Sequence, residues 1–266
     1  MTIECWKNKQ DELNIRMFDS VMKTRNPEST IYTSDPEKYF NRVCVDCNYL
    51  NAVKLLDWNS ILPYSARIID LAGGIGWLSA YLSTFSKVSN IKIIDVSREY
   101  LENNVPVSIT KLSGNAQKVH FVEGLFFPLL LDNGSIDLVV ASSALHHAEK
   151  LEPVLQEIHR VLINGGRCLI LNETPLSYYR HVIWVIKQFT KIIGAAIFSI
   201  YCTKQVSVFP GGVYYDPLLG DRAYPDWHWR KAINHAGFKL ERVVKTGMST
   251  VKGLKGQELV HYICKK

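Results

Sequence analysis

Between Ala66 and Leu171 the hydrophobic positions of this chain alternate between two rhythms. Short, mainly apolar runs at Arg67–Leu71, Ile91–Asp95, Val119–Val122, Ile136–Ala141 and Arg167–Leu171 predict strands of a sheet covered on both faces. Longer segments lie between them. Ile75–Phe85 predicts a helix, and Ser97 suits the cap of a second helix over Arg98–Asn104. Leu151, Val154, Leu155, Ile158, Val161 and Leu162 recur at helical spacing and predict an amphipathic helix, which Asn164-Gly165-Gly166 ends. Four strand–helix alternations with short connections predict an α/β fold with a doubly wound, mostly parallel sheet.

The flanks follow other patterns. Residues 1–60, rich in aromatic and polar side chains, predict a mainly helical N-terminal lid, with residues 61–172 as the core. Residues 173–225 predict a lid or acceptor-binding insertion that ends in a loop rich in Gly, Pro and Tyr. Residues 226–266 predict a helix at Asp226–Ala236, a C-cap at Gly237 and an antiparallel pair, Lys239–Lys245 and Glu258–Cys264, completing the core sheet. No internal repeat is visible. The apolar stretch 182–202 is interrupted by Lys187 and Lys191, each costing about 2.5–3.5 kcal/mol at a bilayer centre. With Arg180 near the same helical face, it predicts an amphipathic helix rather than a span. Such a helix serves either as a lid or as a peripheral contact with a membrane surface, and both uses stay open.

Composition narrows the classes. An apolar fraction of 47% is that of a globular protein. The net charge of +6 is spread along the chain without a basic stripe, which argues against a nucleic-acid partner. Six cysteines lack disulfide-framework spacing and no signal peptide is seen, so a cytoplasmic protein is expected. Cys44-Val-Asp-Cys47 has no second ligand pair, and no metal is expected.

The stretch Arg67-Ile-Ile-Asp-Leu-Ala-Gly-Gly-Ile-Gly-Trp-Leu-Ser79 bears most directly on function. An acid closes the strand, and a glycine-rich turn leads into a helix, which builds a nucleotide-sized pocket at the strand's carboxyl end. Gly74-Ile-Gly-Trp-Leu-Ser79 nearly satisfies the dinucleotide fingerprint, and Asp95 stands where an NAD ribose acid would. Against that reading, Asp70 and three further residues separate the strand from the fingerprint.

Four blocks in register resemble the class I S-adenosylmethionine-dependent methyltransferases, in the group of ubiquinone/menaquinone-type and other small-molecule enzymes. They are Asp70-Leu-Ala-Gly-Gly-Ile-Gly76, with Ala72 in place of the first glycine; Ile91-Lys-Ile-Ile-Asp95-Val-Ser; Phe121-Val-Glu-Gly-Leu-Phe-Phe-Pro128; and the run from Ile136-Asp-Leu-Val-Val through Leu145-His-His147 to Glu157-Ile-His-Arg-Val-Leu-Ile-Asn-Gly-Gly-Arg167. The resemblance covers about residues 40–172 well and the C-terminal sheet more loosely. It implies a seven-stranded, Rossmann-like, mostly parallel sheet with an antiparallel C-terminal strand and a helical lid.

It also implies S-adenosyl-L-methionine as cofactor and assigns its site. Asp70 would hold the methionine ammonium group. Ala72, Gly73, Gly74 and Gly76 would lie under the methionine and ribose. Asp95, followed by Val96, would accept the ribose hydroxyls. Glu123 would accept from the adenine amine, Gly124 would meet the ring edge, and Ala141 and Ser142 would face the methionine.

The acceptor is expected to be a small, hydrophobic or aromatic molecule, because both lid regions are aromatic. Tyr32 and Tyr39 on one side and Tyr178 and Tyr179 on the other are candidate acceptor contacts. Phe40, Tyr214, Tyr215, Trp227 and Trp229 belong to the same cover. His147, then His146, are candidate bases past the fourth core strand, with Glu173 a third candidate after the fifth. An RNA methyltransferase and a non-catalytic binding partner of the same fold are the alternatives. The oligomeric state is left open.

Overall fold

The computed structural model describes residues 2–8, 35–148, 150–176, 214–215, 222–250 and 258–266, with single positions 182, 186 and 190. Strand β1 (Ile3–Cys5) opens the chain. Three short helices follow the next described stretch: α1 (Pro36–Asn41), α2 (Tyr49–Val53) and α3 (Trp58–Ile61). Asp35 caps α1 by accepting from Lys38 N at 3.0 Å, and Pro36 occupies the first turn, where no donor is missed. A π-helical turn at Arg42–Asp46 joins α1 to α2 and carries Cys44, with Cys47 just after it; both are free thiols.

The core alternation then runs β2 (Ala66–Leu71), α4 (Trp77–Ser83), β3 (Val88–Asp95), a π-helical turn at Tyr100–Asn104, α5 (Val105–Lys111) and β4 (Val119–Glu123). It continues through β5 (Ile136–Ser142), α6 (Leu151–Val161) and β6 (Leu162–Glu173). A small pair, β7 (Tyr214–Tyr215) and β8 (Arg222–Ala223), precedes α7 (Asp226–His235), β9 (Lys239–Ser249) and β10 (Glu258–Lys265).

Eight strands form the main sheet in the order β1-β4-β3-β2-β5-β6-β10-β9. All neighbours from β1 to β6 are parallel, while β10 runs antiparallel to both β6 and β9. The expectation of seven strands is therefore short by one. The extra strand is β1, which lies within the stretch expected to be helical and pairs Ile3 with Phe121 and Cys5 with Glu123. Three residues are too few to show a hydrophobic period, and only a distant edge makes them a strand.

Two boundaries also differ. Asn164-Gly165-Gly166 does not separate α6 from the strand but sits inside β6, where the register jumps from Ile136↔Leu162 to Leu138↔Arg167. Gly165 has φ +80°, and a Cβ on Gly166 would lie 2.9 Å from the Ile163 carbonyl, so both glycines serve a bulge. The helix expected to end at Asn104 is followed by α5, whose Pro106 sits in the first turn, where proline is tolerated.

Strand residues alternate between two cores. Ile69, Leu71, Val139, Ala141 and Ile170 meet α6 and α7 through Leu155, Ile158, Trp229 and Ile233. Ile68, Leu138, Val140, Leu169 and Leu171 face Val53, Trp58, Ile61, Leu78 and Leu82 on the other side. Each fully buried large apolar side chain contributes roughly 1.5–3 kcal/mol. These two layers hold the carboxyl ends of β2 to β6 along one edge, where the functional side chains collect.

Candidate active site

At the end of β2 the chain turns back with Ala72 at φ +51°, Gly74 at +53° and Gly76 at +69°. A Cβ on Gly73 would lie 2.5 Å from Ile93, so close packing against β3 demands glycine there. A Cβ on Gly74 would meet nothing within 4 Å; that side of the turn faces open space. Asp70 is fully buried. Its Oδ2 accepts from Ser79 N at 3.0 Å and Ser79 Oγ at 2.7 Å, while Oδ1 has no partner. Burial pushes the Asp70 carboxyl up to about 6, against the opposing pull of the Ser79 hydrogen bonds.

Asp95, at the end of β3, reaches across to this turn. Its carboxylate accepts from Gly74 N at 2.7 Å and from Ser97 N at 2.9 Å. Burial raises its pKa, and these backbone donors oppose the rise. The two acids and the glycine turn therefore form one cradle of carboxylates and main-chain groups.

On β4 the structure departs from expectation. The Glu123 carboxylate is held by the Lys7 ammonium and, at 3.1 Å, by Arg98. Gly124 N does not face outward but donates to the Asp95 carbonyl at 2.9 Å. The Gly124 bond continues the β3–β4 pairing, while the N-terminal segment brings Lys7: Trp6 N donates to the Glu123 carbonyl at 2.8 Å, and Lys7 Nζ also reaches the Val96 carbonyl at 3.4 Å.

The ends of β5 and β6 form the other half. Ala141 is buried, and Ser142 Oγ accepts from Asn172 Nδ2 at 2.9 Å. Ser143, just past β5, at φ +50° and Asn172, within β6, at φ +55° both take the left-handed conformation. Ser143 Oγ lies 2.8 Å from the Tyr49 hydroxyl of α2. Asn172 N donates to His261 Nδ1 at 3.0 Å. His261 Nε2 lies 3.1 Å from the Ala52 carbonyl, which can only accept, so its proton sits on Nε2.

Glu173 organises the loop after β5. Its Oε1 accepts from Ala144 N at 3.2 Å and Leu145 N at 3.1 Å, and its Oε2 lies 2.8 Å from His146 Nδ1. Glu173 is only 2% exposed. The expectation that it faces the acceptor is corrected: it lies beneath the loop and positions His146. The two histidines differ in their surroundings. His146 is the one paired with the acid, whereas His147 keeps an exposed edge. Protein around the His147 ring, with His146 and Arg222 beside it, lowers its pKa.

Of the expected acceptor contacts, Tyr39 packs its ring 5.7 Å from Tyr100 near Asp95, while Tyr32, Tyr178 and Tyr179 lie outside the described residues. Phe40 and Trp229 belong to the cores, and Trp227 is half exposed. Most of the 182–202 stretch is also outside the described residues. No helix among the described residues is long and apolar enough to cross a membrane. Among these residues no group of three or more metal-ligating side chains occurs. Lys7, Tyr49, Ser143, Asn172 and His261 were not singled out from sequence. Only the polar pairs Ser142-Ser143 and Asn172-Glu173, closing two apolar strands, carried a readable signal.

Residues 69–170 match the family model described as a methyltransferase domain. The ubiquinone/menaquinone biosynthesis C-methyltransferase of Rubrivivax gelatinosus is 25% identical over 193 residues, covering 68% of this chain and 73% of that protein. A Dictyostelium discoideum protein named "Probable polyketide synthase 30" is 26% identical over 205 residues, covering 65% of this chain, which spans only 7% of that protein's length. Among solved structures, the Burkholderia thailandensis 1,6-didemethyltoxoflavin-N1-methyltransferase, with bound 1,6-didemethyltoxoflavin and S-adenosylhomocysteine, superposes with a TM-score of 0.59 at 14% identity. The match covers 94% of this chain and 89% of that one. Residues 69–170 thus form a methyltransferase domain, and the chain is similar in fold to S-adenosylmethionine-dependent methyltransferases. Its cradle fits that cofactor: Asp70 Oδ1 is a buried acceptor without a partner, and the open side of Gly74 leaves the main chain approachable.

Proposed function

We propose that this chain methylates a small, hydrophobic or aromatic acceptor at an atom made nucleophilic by loss of a proton, with His146 as the base. The observation that carries this reading is the Glu173–His146 contact at the carboxyl ends of β5 and β6, with β5 next to β2 in the sheet. S-adenosylmethionine supplies a methyl group already activated on a sulfonium, so the protein's share is alignment, exclusion of water and proton removal. The Glu173 carboxylate can only accept from Nδ1, which puts the basic lone pair of a neutral His146 on Nε2. There it takes the proton of a phenol or enol hydroxyl and raises electron density on the oxygen or the adjoining ring carbon.

Asp70 holds the methionine ammonium through Oδ1, Asp95 the ribose hydroxyls, and the main chain of Ala72–Gly76 lines the floor. Tyr39, packed against Tyr100, and Tyr49, packed against Trp77 at 6.5 Å, are the aromatic side chains this reading assigns to a flat acceptor. The quinone and polyketide terms in the relatives' names support the same acceptor class. The test is incubation with methyl-deuterated S-adenosylmethionine and a panel of demethylated quinols and phenolic polyketides, with RNA as control, followed by mass spectrometry. Label is expected in a quinol or phenol. Label in RNA alone would sink the reading.

The buried Asp70 sets a pH dependence. The ammonium requires the ionised carboxylate, which the cofactor-free protein loses as pH falls through about 6. Affinity for S-adenosylhomocysteine is therefore expected to drop by up to about tenfold per pH unit below that value. Calorimetric titration from pH 5 to 8 measures it, and in Asp70→Asn this dependence should disappear. Without ligand the sign is opposite: a raised carboxyl pKa stabilises the fold at low pH, and that contribution is lost as pH rises from 3.8 to about 6.

A further inference from the structure

The sheet order sets how an adenosyl ligand must lie, on the cofactor reading above. The methionine end belongs to the β2 turn, and the ribose belongs to Asp95 on β3. The purine must then extend toward the next strand, β4, between Val96 and Glu123-Gly124. That groove is where the chain's own N-terminus lies. Beyond β1, the Trp6 Cβ lies 3.2 Å from where a Gly124 Cβ would project, so the absence of a side chain lets the strap settle against the strand end. Lys7 Nζ lies between the two strands, donating to the Val96 carbonyl at 3.4 Å and to the Glu123 carboxylate.

The side chains of Lys7 and Glu123 are 8% and 9% exposed. Arg98 takes the other Glu123 oxygen, and Gly124 N is spent on Asp95. A purine offers this place an exocyclic amine, a donor to carboxylate oxygens. Lys7 presents a donor of the same kind to the same carboxylate. The strap is anchored on its outer side as well. Glu4 accepts from Trp6 Nε1 at 2.7 Å and from Lys92 at 2.9 Å, so the ammonium is delivered by an ordered strand rather than a loose tail.

We propose that Lys7 is a built-in competitor for the purine subsite, and that its ammonium must leave Glu123 before the adenine amine can take its place. Cofactor entry is thereby coupled to withdrawal of the Trp6–Lys7 strap, and the resting protein binds adenosyl ligands below its intrinsic affinity. If the strap is closed nine-tenths of the time, the loss is about tenfold.

Two measurements test this. Lys7→Met keeps the aliphatic stem and removes the ammonium, and is expected to bind S-adenosylhomocysteine about tenfold more tightly than wild type. Adenosine alone should show the same gain, since the competition lies at the purine end. In the wild-type protein, acylation of Lys7 by a water-soluble succinimidyl ester, followed by peptide mass spectrometry, should quicken when S-adenosylhomocysteine is added. Unchanged or weaker binding by the variant overturns the proposal, as does Lys7 acylation that stays constant or slows with ligand. Binding by the variant alone supports it. Absence of binding in both proteins overturns the cofactor reading itself, and the proposal with it.

Discussion

Replacing Asp95 with alanine should weaken S-adenosylhomocysteine binding by a hundredfold or more. An ionised carboxylate receiving two ribose hydroxyls makes two charge-assisted hydrogen bonds, each contributing about 1.5–3 kcal/mol, or roughly 3–6 kcal/mol together. The same side chain ties Gly74 N and Ser97 N to the end of β3, so its loss also loosens the turn beneath the cofactor. Asp95→Asn keeps one acceptor oxygen and should lose less. Calorimetry on both variants gives the comparison, with thermal melts to show that each remains folded. Wild-type affinity in Asp95→Ala would remove β3 from the cofactor site.

The second large effect is expected at Glu173. Glutamine there keeps an oxygen for Ala144 N and Leu145 N but presents an amide N–H₂ to His146 Nδ1. An N–H facing Nδ1 favours the tautomer protonated on Nε2, which takes the lone pair from the position that must accept a proton. Turnover should fall by about 10²–10⁴-fold, the range for a lost general base, while affinity for S-adenosylhomocysteine changes little. Initial rates with the acceptor found by deuterium labelling, set against ligand titration, separate the two effects. A purely structural Glu173 predicts the reverse pattern, with Glu173→Gln melting earlier and keeping its turnover once folded. Glu173→Ala is a poorer probe, because it strands three donors, and buried unpaired groups cost about 1–3 kcal/mol each.

The sequence was most informative where a local rule had a local cause. Alternating apolar runs and helical spacing located β2 to β6 and α6. The Asp70–Gly76 block placed the turn, because a chain that must take positive φ while touching Ile93 leaves few alternatives to glycine. Legibility failed where distance in sequence became contact in space. Nothing near Ile3 announces a strand, and nothing near Lys7 announces Glu123, 116 residues away. The two histidines show the same limit from another side. As neighbours in one 3₁₀ turn they look equivalent, and only Glu173, arriving from the next strand, distinguishes them.

The unequal margins of the sheet bear on how the molecule behaves among its own copies. β9 forms one margin and carries Lys239, Glu241, Arg242 and Lys245, charges that discourage a foreign strand from docking. The opposite side would end on β4, Val119-His-Phe-Val-Glu123, which has little such protection. β1 covers it with three residues, Ile-Glu-Cys, too short to offer the next copy a long ladder. The N-terminal strand thus guards colloidal stability, and trimming it would leave an adhesive seam along the molecule.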